Sequence, residues 1–168
     1  MTVQIEMERL TLREFVDDDL DNLYALVSDP VVMRYCAGAL DRAQAQVWLN
    51  AVRRYYARYS YDYWAAVDKY SGAFVGQIGI LHQEIEGLSC DCIAYMICRE
   101  QWGKGYATEG AAGCIRYGFE TLQREQLYAT VEAENLASQS VLVRCGMQYK
   151  KDVCYLGKIV RLYVIAAR

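Results

Sequence analysis

A glycine-containing stretch near the middle of the chain has residues that could bind an anionic phosphate. Gly103 and Gly105 lie within residues 102–109, after an extended apolar run and before a helical pattern. Glycine can adopt a positive φ, and it has no Cβ to keep a phosphate away from backbone amides. A strand–turn–helix order also brings free N–H groups and the positive end of a helix dipole to one point. The stretch therefore predicts a phosphate or pyrophosphate site.

Two common nucleotide-binding patterns do not fit this stretch. The phosphate-loop pattern of nucleotide hydrolases, G-x-x-x-x-G-K-[ST], is absent, and no third glycine completes the dinucleotide fingerprint G-x-G-x-x-G. The predicted site therefore needs neither a metal-bound hydroxyl nor a catalytic lysine. A tight turn between a strand and a helix is the structural alternative for the same glycines, so the rest of the chain must decide between the two.

Composition narrows the class of protein. The 168 residues suit one domain, 1–168, and 18 Lys and Arg against 21 Asp and Glu do not favour a nucleic-acid partner. Seven cysteines without a paired C-x-x-C indicate buried thiols rather than a metal site or a disulfide framework. We recognise no signal peptide and no apolar run of membrane-spanning length, so we expect a cytoplasmic protein with no membrane partner.

Hydrophobic periodicity places the glycine-containing stretch within an alternation of strands and helices. The predicted order is β-α-α-α-β-β-β-α-β-α-β-β, with no linker and no internal repeat. One helical pattern follows residues 17–19 and ends near Ser28, and a second, short one starts at Asp29-Pro30. A third follows Asp41, a fourth follows the glycine-containing stretch, and a fifth covers 136–145. Strand patterns cover 9–13, 63–67, 74–81, 90–98, 127–131, 147–154 and 159–166.

The stretch resembles the acyl-CoA pyrophosphate loop of the GNAT superfamily of N-acetyltransferases, Q/R-x-x-G-x-G/A. Trp102 occupies the first position, Gly105 the glycine and Ala107 the last position. Four further blocks, at 8–15, 29–35, 76–80 and 135–147, resemble the ribosomal-protein (alanine/serine N-terminal) branch in the same order. The resemblance implies an α/β (α+β) GNAT fold: a mixed sheet of about seven strands, splayed after the fourth and flanked by about four to five helices.

The resemblance also implies the reaction and the residues that bind acetyl-CoA. A primary amine would attack the thioester carbonyl of acetyl-CoA directly, without an acyl-enzyme and without a metal. The pantetheine arm would lie against the backbone of Ile97 and Cys98, where we also expect the oxyanion donor. Asn135 could hold the arm or simply cap a helix, and Arg144 could reach the 3′-phosphate or stay solvated. The pyrophosphate would meet the loop residues Trp102, Gly103, Lys104, Gly105, Tyr106, Ala107 and Thr108.

The sequence defines the general acid and the general base of the reaction less well than it defines the acetyl-CoA site. Ser138 is our candidate proton donor to the thiolate, with helix capping as the alternative, because Leu142 replaces a tyrosine that many relatives have. Cys92 occupies the position where the branch often has an acid. Asp91 is adjacent, but its side chain belongs on the opposite face of a strand. Tyr95 aligns with a tyrosine common in the branch, so the candidate catalytic residues are Ser138, Tyr95 and Asp91.

The sequence predicts only the chemical class of the acceptor. A site without a strong base suits an α-amine, whose reference pKa of roughly 7.7–8.0 lies well below that of lysine. An N-terminal α-amine or an aminoacyl small molecule is therefore expected. Tyr35, Tyr56 and His82 are candidate acceptor-binding residues, although packing explains the tyrosines equally. The alternative function is an acetyl-CoA sensor or scaffold without turnover, and either a monomer or a homodimer fits the sequence.

Overall fold

The computed structural model describes Thr2 and residues 4–168. These residues form an eight-stranded mixed sheet in the spatial order β1-β2-β3-β4-β5-β6-β8-β7. All neighbouring strands are antiparallel except β5 and β6. The strands are β1 (Gln4–Glu6), β2 (Leu10–Arg13), β3 (Tyr63–Asp68), β4 (Phe74–Ile85), β5 (Leu88–Ile97), β6 (Gln126–Val131), β7 (Gln148–Tyr155) and β8 (Lys158–Ala166).

The helices cover both faces of the sheet. Leu23 of one helix and Leu49 of another pack in a core on one face, whereas Cys114 and Leu142 belong to the core on the other. Burying an apolar face on each side of a sheet is the usual solution for a mixed α/β domain. The α-helices of the described chain are α1 (Leu20–Val27), α2 (Arg42–Tyr59), α3 (Tyr106–Glu120) and α4 (Leu136–Arg144).

The sheet opens between β5 and β6. Ten residue pairs join β4 to β5, but the parallel strands β5 and β6 have one aligned pair, Cys92 with Tyr128. The separation of the two strands exposes backbone groups that would otherwise pair with each other. The predicted splay after the fourth predicted strand, which is β5 here, is confirmed.

Two elements differ from the sequence-based order. Strand β1 is additional, and its pattern was too weak to detect because only Ile5 of its three residues is buried. The short helix predicted to start at Asp29-Pro30 is a 3-10 turn, Val32–Tyr35, which is too short to form an α-helix. Two other 3-10 turns occupy Asp17–Asp19 and Arg99–Gln101.

The starts of three helices differ in a way that bears on function. Asp41 caps α2 by accepting a hydrogen bond from the Gln44 amide, and Asn135 caps α4 by accepting one from the Ser138 amide. Helix α3 instead begins after Gly105, whose left-handed conformation provides no side-chain cap. Its first amides are therefore left for another partner. No helix in residues 4–168 combines the length and the apolar character needed to cross a membrane.

Candidate active site

The turn before α3 presents a group of free backbone amides. Gly103 and Gly105 have φ values of +76° and +82°, in the region where glycine is favoured. Outside α3 itself, the amides of residues 103–108 donate no backbone hydrogen bond to the described chain. Because α3 is fifteen residues long, its dipole adds partial positive charge at this end. These features suit a pyrophosphate.

Arg9 of the loop preceding β2 braces this turn from the other side. Its backbone amide and Nε each donate to the Glu109 carboxylate at 2.7 Å, and Nη1 donates to the Lys104 carbonyl at 2.8 Å. The guanidinium also lies 4.7 Å from the centre of the Tyr106 ring. Tyr106 in turn donates to Asp68 at 2.6 Å, which is the main cause of an Asp68 pKa of about 2. The turn is therefore held to β2 and to the β3–β4 connection.

The end of β5 offers one free amide rather than two. The Cys98 N–H donates to the Val75 carbonyl at 2.8 Å, so the expectation that Cys98 could supply an oxyanion donor is wrong. Hydrogen-bonded and non-hydrogen-bonded pairs alternate along an antiparallel ladder, which directs the Ile97 N–H away from β4 toward β6. The Trp102 indole donates to the Ile97 carbonyl at 2.8 Å and fixes the turn to this strand.

The other residues predicted to bind acetyl-CoA are exposed or partly exposed. The Lys104 ammonium donates to Gln101 at 3.0 Å, while Ala107 and Thr108 lie in the first turn of α3. Arg144 is exposed at the end of α4. Asn135 is occupied as the cap of α4, but it also lines the cleft described next.

A cleft of about 810 Å³ extends from the gap between β5 and β6 to α2 and the β7–β8 hairpin. Its size is within the range of small-molecule sites, and aromatic rings form much of its wall. Strands β4 and β5 and helix α2 carry many of these side chains. The gap between β5 and β6 leaves room for the cleft. The lining includes Tyr35, Trp48, Tyr55, Asp62, Tyr63, His82, Cys92, Ala94, Tyr95, Glu132, Asn135, Ser138, Tyr155 and Lys158.

Tyr95 and Ser138, selected separately from the sequence, are in contact in this cleft. The Tyr95 hydroxyl donates to the Ser138 carbonyl at 2.8 Å and lies 2.9 Å from the Ser138 hydroxyl. Burial raises the pKa of Tyr95, so the phenol stays protonated. The pair joins β5 to α4 across the open part of the sheet and supplies hydroxyl protons at one point.

Asp91 lies outside this cleft and is fully engaged. Its carboxylate accepts hydrogen bonds from Tyr61 at 2.7 Å and from Arg124, and His82 Nδ1 lies at 3.3 Å. These groups line a separate cavity of about 330 Å³. The hypothesis of Asp91 as a general base does not fit this arrangement, because the carboxylate is ion-paired with Arg124 and does not line the cleft that holds Ser138. His82 stacks on Tyr59 and borders both cavities.

The two tyrosines predicted to bind the acceptor have different positions. Tyr35 lines the cleft, and its hydroxyl donates to the Glu134 carbonyl at 3.4 Å. Tyr56 is directed into the protein, where its hydroxyl donates to the Tyr63 carbonyl and accepts from the Phe15 amide. The assignment of Tyr56 to acceptor binding is therefore corrected to a structural role. Tyr55, one residue earlier on α2, lines the cleft instead.

Asp62 is a cleft residue that the sequence did not reveal. It precedes β3 and is 8% exposed, and desolvation raises its pKa to about 7. Trp48 and Tyr63 also line the cleft, with ring centroids 6.2 Å apart. No local pattern distinguished Asp62 from a turn residue. In the part of the chain that the structure describes, no group of three or more His, Cys, Asp or Glu side chains could hold a metal ion.

Comparisons with known proteins give a consistent result. The family model described as an acetyltransferase (GNAT) domain matches residues 9–148. The chain is 38% identical over 157 residues to the uncharacterized protein YkkB of Bacillus subtilis (strain 168), covering 93% of this chain and 91% of YkkB. A GNAT-family acetyltransferase from Bacillus anthracis has a TM-score of 0.82 at 22% identity, with 98% of each chain covered. RimL, named as a ribosomal L7/L12 alpha-N-protein acetyltransferase in complex with coenzyme A, has a TM-score of 0.80 at 12% identity, also over 98% of each chain.

Proposed function

This chain belongs to the GNAT acetyltransferase family, and we propose that it transfers the acetyl group of acetyl-CoA directly to a primary amine. The chain is thus an acyltransferase. The observation that carries the proposal is the row of free amides at Gly103–Gly105 and the start of α3, next to an open β5–β6 gap. The amides would bind the pyrophosphate, and the gap would accept the pantetheine arm beside the Ile97 N–H.

The chemical step needs a stabilised oxyanion and a proton for the leaving thiolate. The Ile97 amide points toward the gap, and we assign it as the oxyanion donor at the end of β5. Ser138 would donate a proton to the thiolate, and the proton that the amine loses on forming the amide would return to Ser138 through the Tyr95 hydroxyl, 2.9 Å away. The raised pKa of Tyr95 keeps the phenol protonated in the resting protein.

The acceptor must reach the cleft as a neutral amine. Near pH 7, deprotonating a lysine side chain costs about 3–4 kcal/mol more than deprotonating an α-amine. We therefore propose an α-amine acceptor, either the N-terminus of a peptide or an aminoacyl small molecule. The name of RimL, a protein of the same fold, refers to the α-amine of a ribosomal protein and supports this choice of amine.

The test is the release of free CoA from acetyl-CoA with a panel of amines. Peptides with free α-amines would be compared with the same peptides blocked at the N-terminus but carrying lysine, and with aminoacyl amides. We expect release with free α-amines. Acetyl-CoA binding without release on any amine would contradict the proposal and support a sensor or scaffold.

Ser138→Ala tests the proposed acid. We expect kcat to fall by roughly 10²-fold, because general acid catalysis typically contributes that much, with the KM for acetyl-CoA little changed. Tyr95→Phe should lower kcat by less, since Ser138 still carries a proton. Ser140→Ala is the control, because Ser140 is exposed on the same helix. Unchanged turnover in Ser138→Ala would remove this role.

A further inference from the structure

Asp62 is an uncompensated carboxyl group on the wall of the cleft. It is 8% exposed, and no Lys, Arg or His side chain in residues 4–168 forms an ion pair with it. Within the described chain, the neighbouring Tyr63 amide is its hydrogen-bond donor. Glu132, another acid on the cleft wall, is bonded to Lys158 at 2.8 Å. Asp62 is therefore the carboxyl group on the cleft wall that has no ion-pair partner among the described residues.

Burying a carboxylate without a partner is costly, so a partner from outside would be favourable. The surroundings of Asp62 suit an ammonium group in particular, because Trp48 and Tyr63 line the same cleft and aromatic rings attract cations. Other titratable groups on the cleft wall are Tyr35, Cys36, Tyr55, His82, Cys92, Tyr95, Glu132, Tyr155 and Lys158.

We infer that Asp62, together with the rings of Trp48 and Tyr63, binds a second ammonium group of the acceptor. The preferred acceptor is then a small aminoacyl compound whose α-amine is acetylated and whose side chain carries the second positive charge. This inference rests on the proposed function, because it assigns the second charge to the molecule that supplies the attacking amine. Asp62 is a specificity residue here and takes no proton from the α-amine.

The experiment compares lysine amide with norleucine amide, which have the same α-amine and nearly the same length but differ in the terminal ammonium. We expect the wild-type kcat/KM to be about tenfold higher for lysine amide, as one charge-assisted interaction provides. Mass spectrometry of the product would confirm acetylation at the α-amine. Asp62→Asn should remove the preference by raising the KM for lysine amide, with norleucine amide unaffected. Asp18→Asn, an exposed acid outside the cleft, is the matched control.

Three results would overturn the inference. They are an equal wild-type kcat/KM for the two amides, a preference retained in Asp62→Asn, or an equal fall in kcat with both amides, which would make Asp62 the general base. Thermal denaturation adds a readout without turnover: lysine amide should raise the wild-type Tm more than norleucine amide does. That difference should disappear in Asp62→Asn. The absence of CoA release with every amine would refute the proposed function, whereas the thermal shift tests the ammonium site separately.

Discussion

Replacing Asp62 by asparagine should stabilise the folded chain at neutral pH and have little effect in acid. Burial raises the pKa of Asp62 from its ordinary value of 3.8 to about 7. Well below pH 4 the carboxyl is protonated in the folded and the unfolded chain, so asparagine changes little. Between pH 4 and 7 the unfolded chain loses the proton first, and the stability of the wild type falls as the pH rises.

The size of the effect follows from the two pKa values. They differ by roughly three pH units, and each unit corresponds to about 1.4 kcal/mol. The wild type therefore loses about 4 kcal/mol between pH 4 and 8, a loss that a neutral asparagine avoids. Because this is a large part of the stability of a typical domain, the effect should be easy to measure.

Urea unfolding of the wild type and Asp62→Asn at several values between pH 4 and 8 would test this reasoning. The free-energy difference between the two proteins should be small at pH 4 and should grow steadily to pH 7. Asp18→Asn should show no such growth, because Asp18 is exposed. A pH-independent difference, or a variant less stable than the wild type at pH 8, would refute the assignment of Asp62 as an unpaired buried carboxyl.

Three further substitutions test other parts of the structure. Gly105→Ala should destabilise the chain by about 1–2 kcal/mol and raise the KM for acetyl-CoA, because the Gly105 φ is +82° and an added Cβ would lie 3.3 Å from Arg9 Nη2. Urea unfolding would measure the stability, and steady-state kinetics would measure the KM. Tyr56→Phe should cost about 1 kcal/mol in urea unfolding and leave the acceptor KM unchanged, since its hydroxyl only joins Phe15 and Tyr63. Gln77→Leu should stabilise the chain by about 1 kcal/mol in the same assay, because the Gln77 Oε1 is buried without a partner.

Each of these three substitutions has a control variant or a result that would contradict it. Gly87→Ala combines a similar φ of +81° with a position in the β4–β5 hairpin, at the opposite end of β5 from the turn before α3, so it should destabilise the chain without changing the KM for acetyl-CoA. A higher acceptor KM in Tyr56→Phe would mean that Tyr56 takes part in acceptor binding after all. Loss of stability in Gln77→Leu would mean that the amide has a partner in solution.

The sequence by itself determined most of the order of the elements and the position of the glycine-containing turn before α3. Local patterns sufficed for these features, because helix periodicity, the caps at Asp41 and Asn135 and the glycines at 103 and 105 act over a few residues. The family resemblance also selected Tyr95 and Ser138, which the structure places 2.9 Å apart. Strand β1 was missed because one buried residue in three gives no detectable alternation.

Only the tertiary structure decided which of the candidate side chains face the cleft. Asp91 pairs with Arg124, thirty-three residues later, and the Cys98 amide pairs with Val75 through the register of two strands. Arg9 contacts Glu109 one hundred residues away. Such contacts depend on strand register and on helix rotation, which a periodic pattern does not specify to the level of a single side chain. The same holds for Asp62, because its burial and lack of a cation are properties of its surroundings.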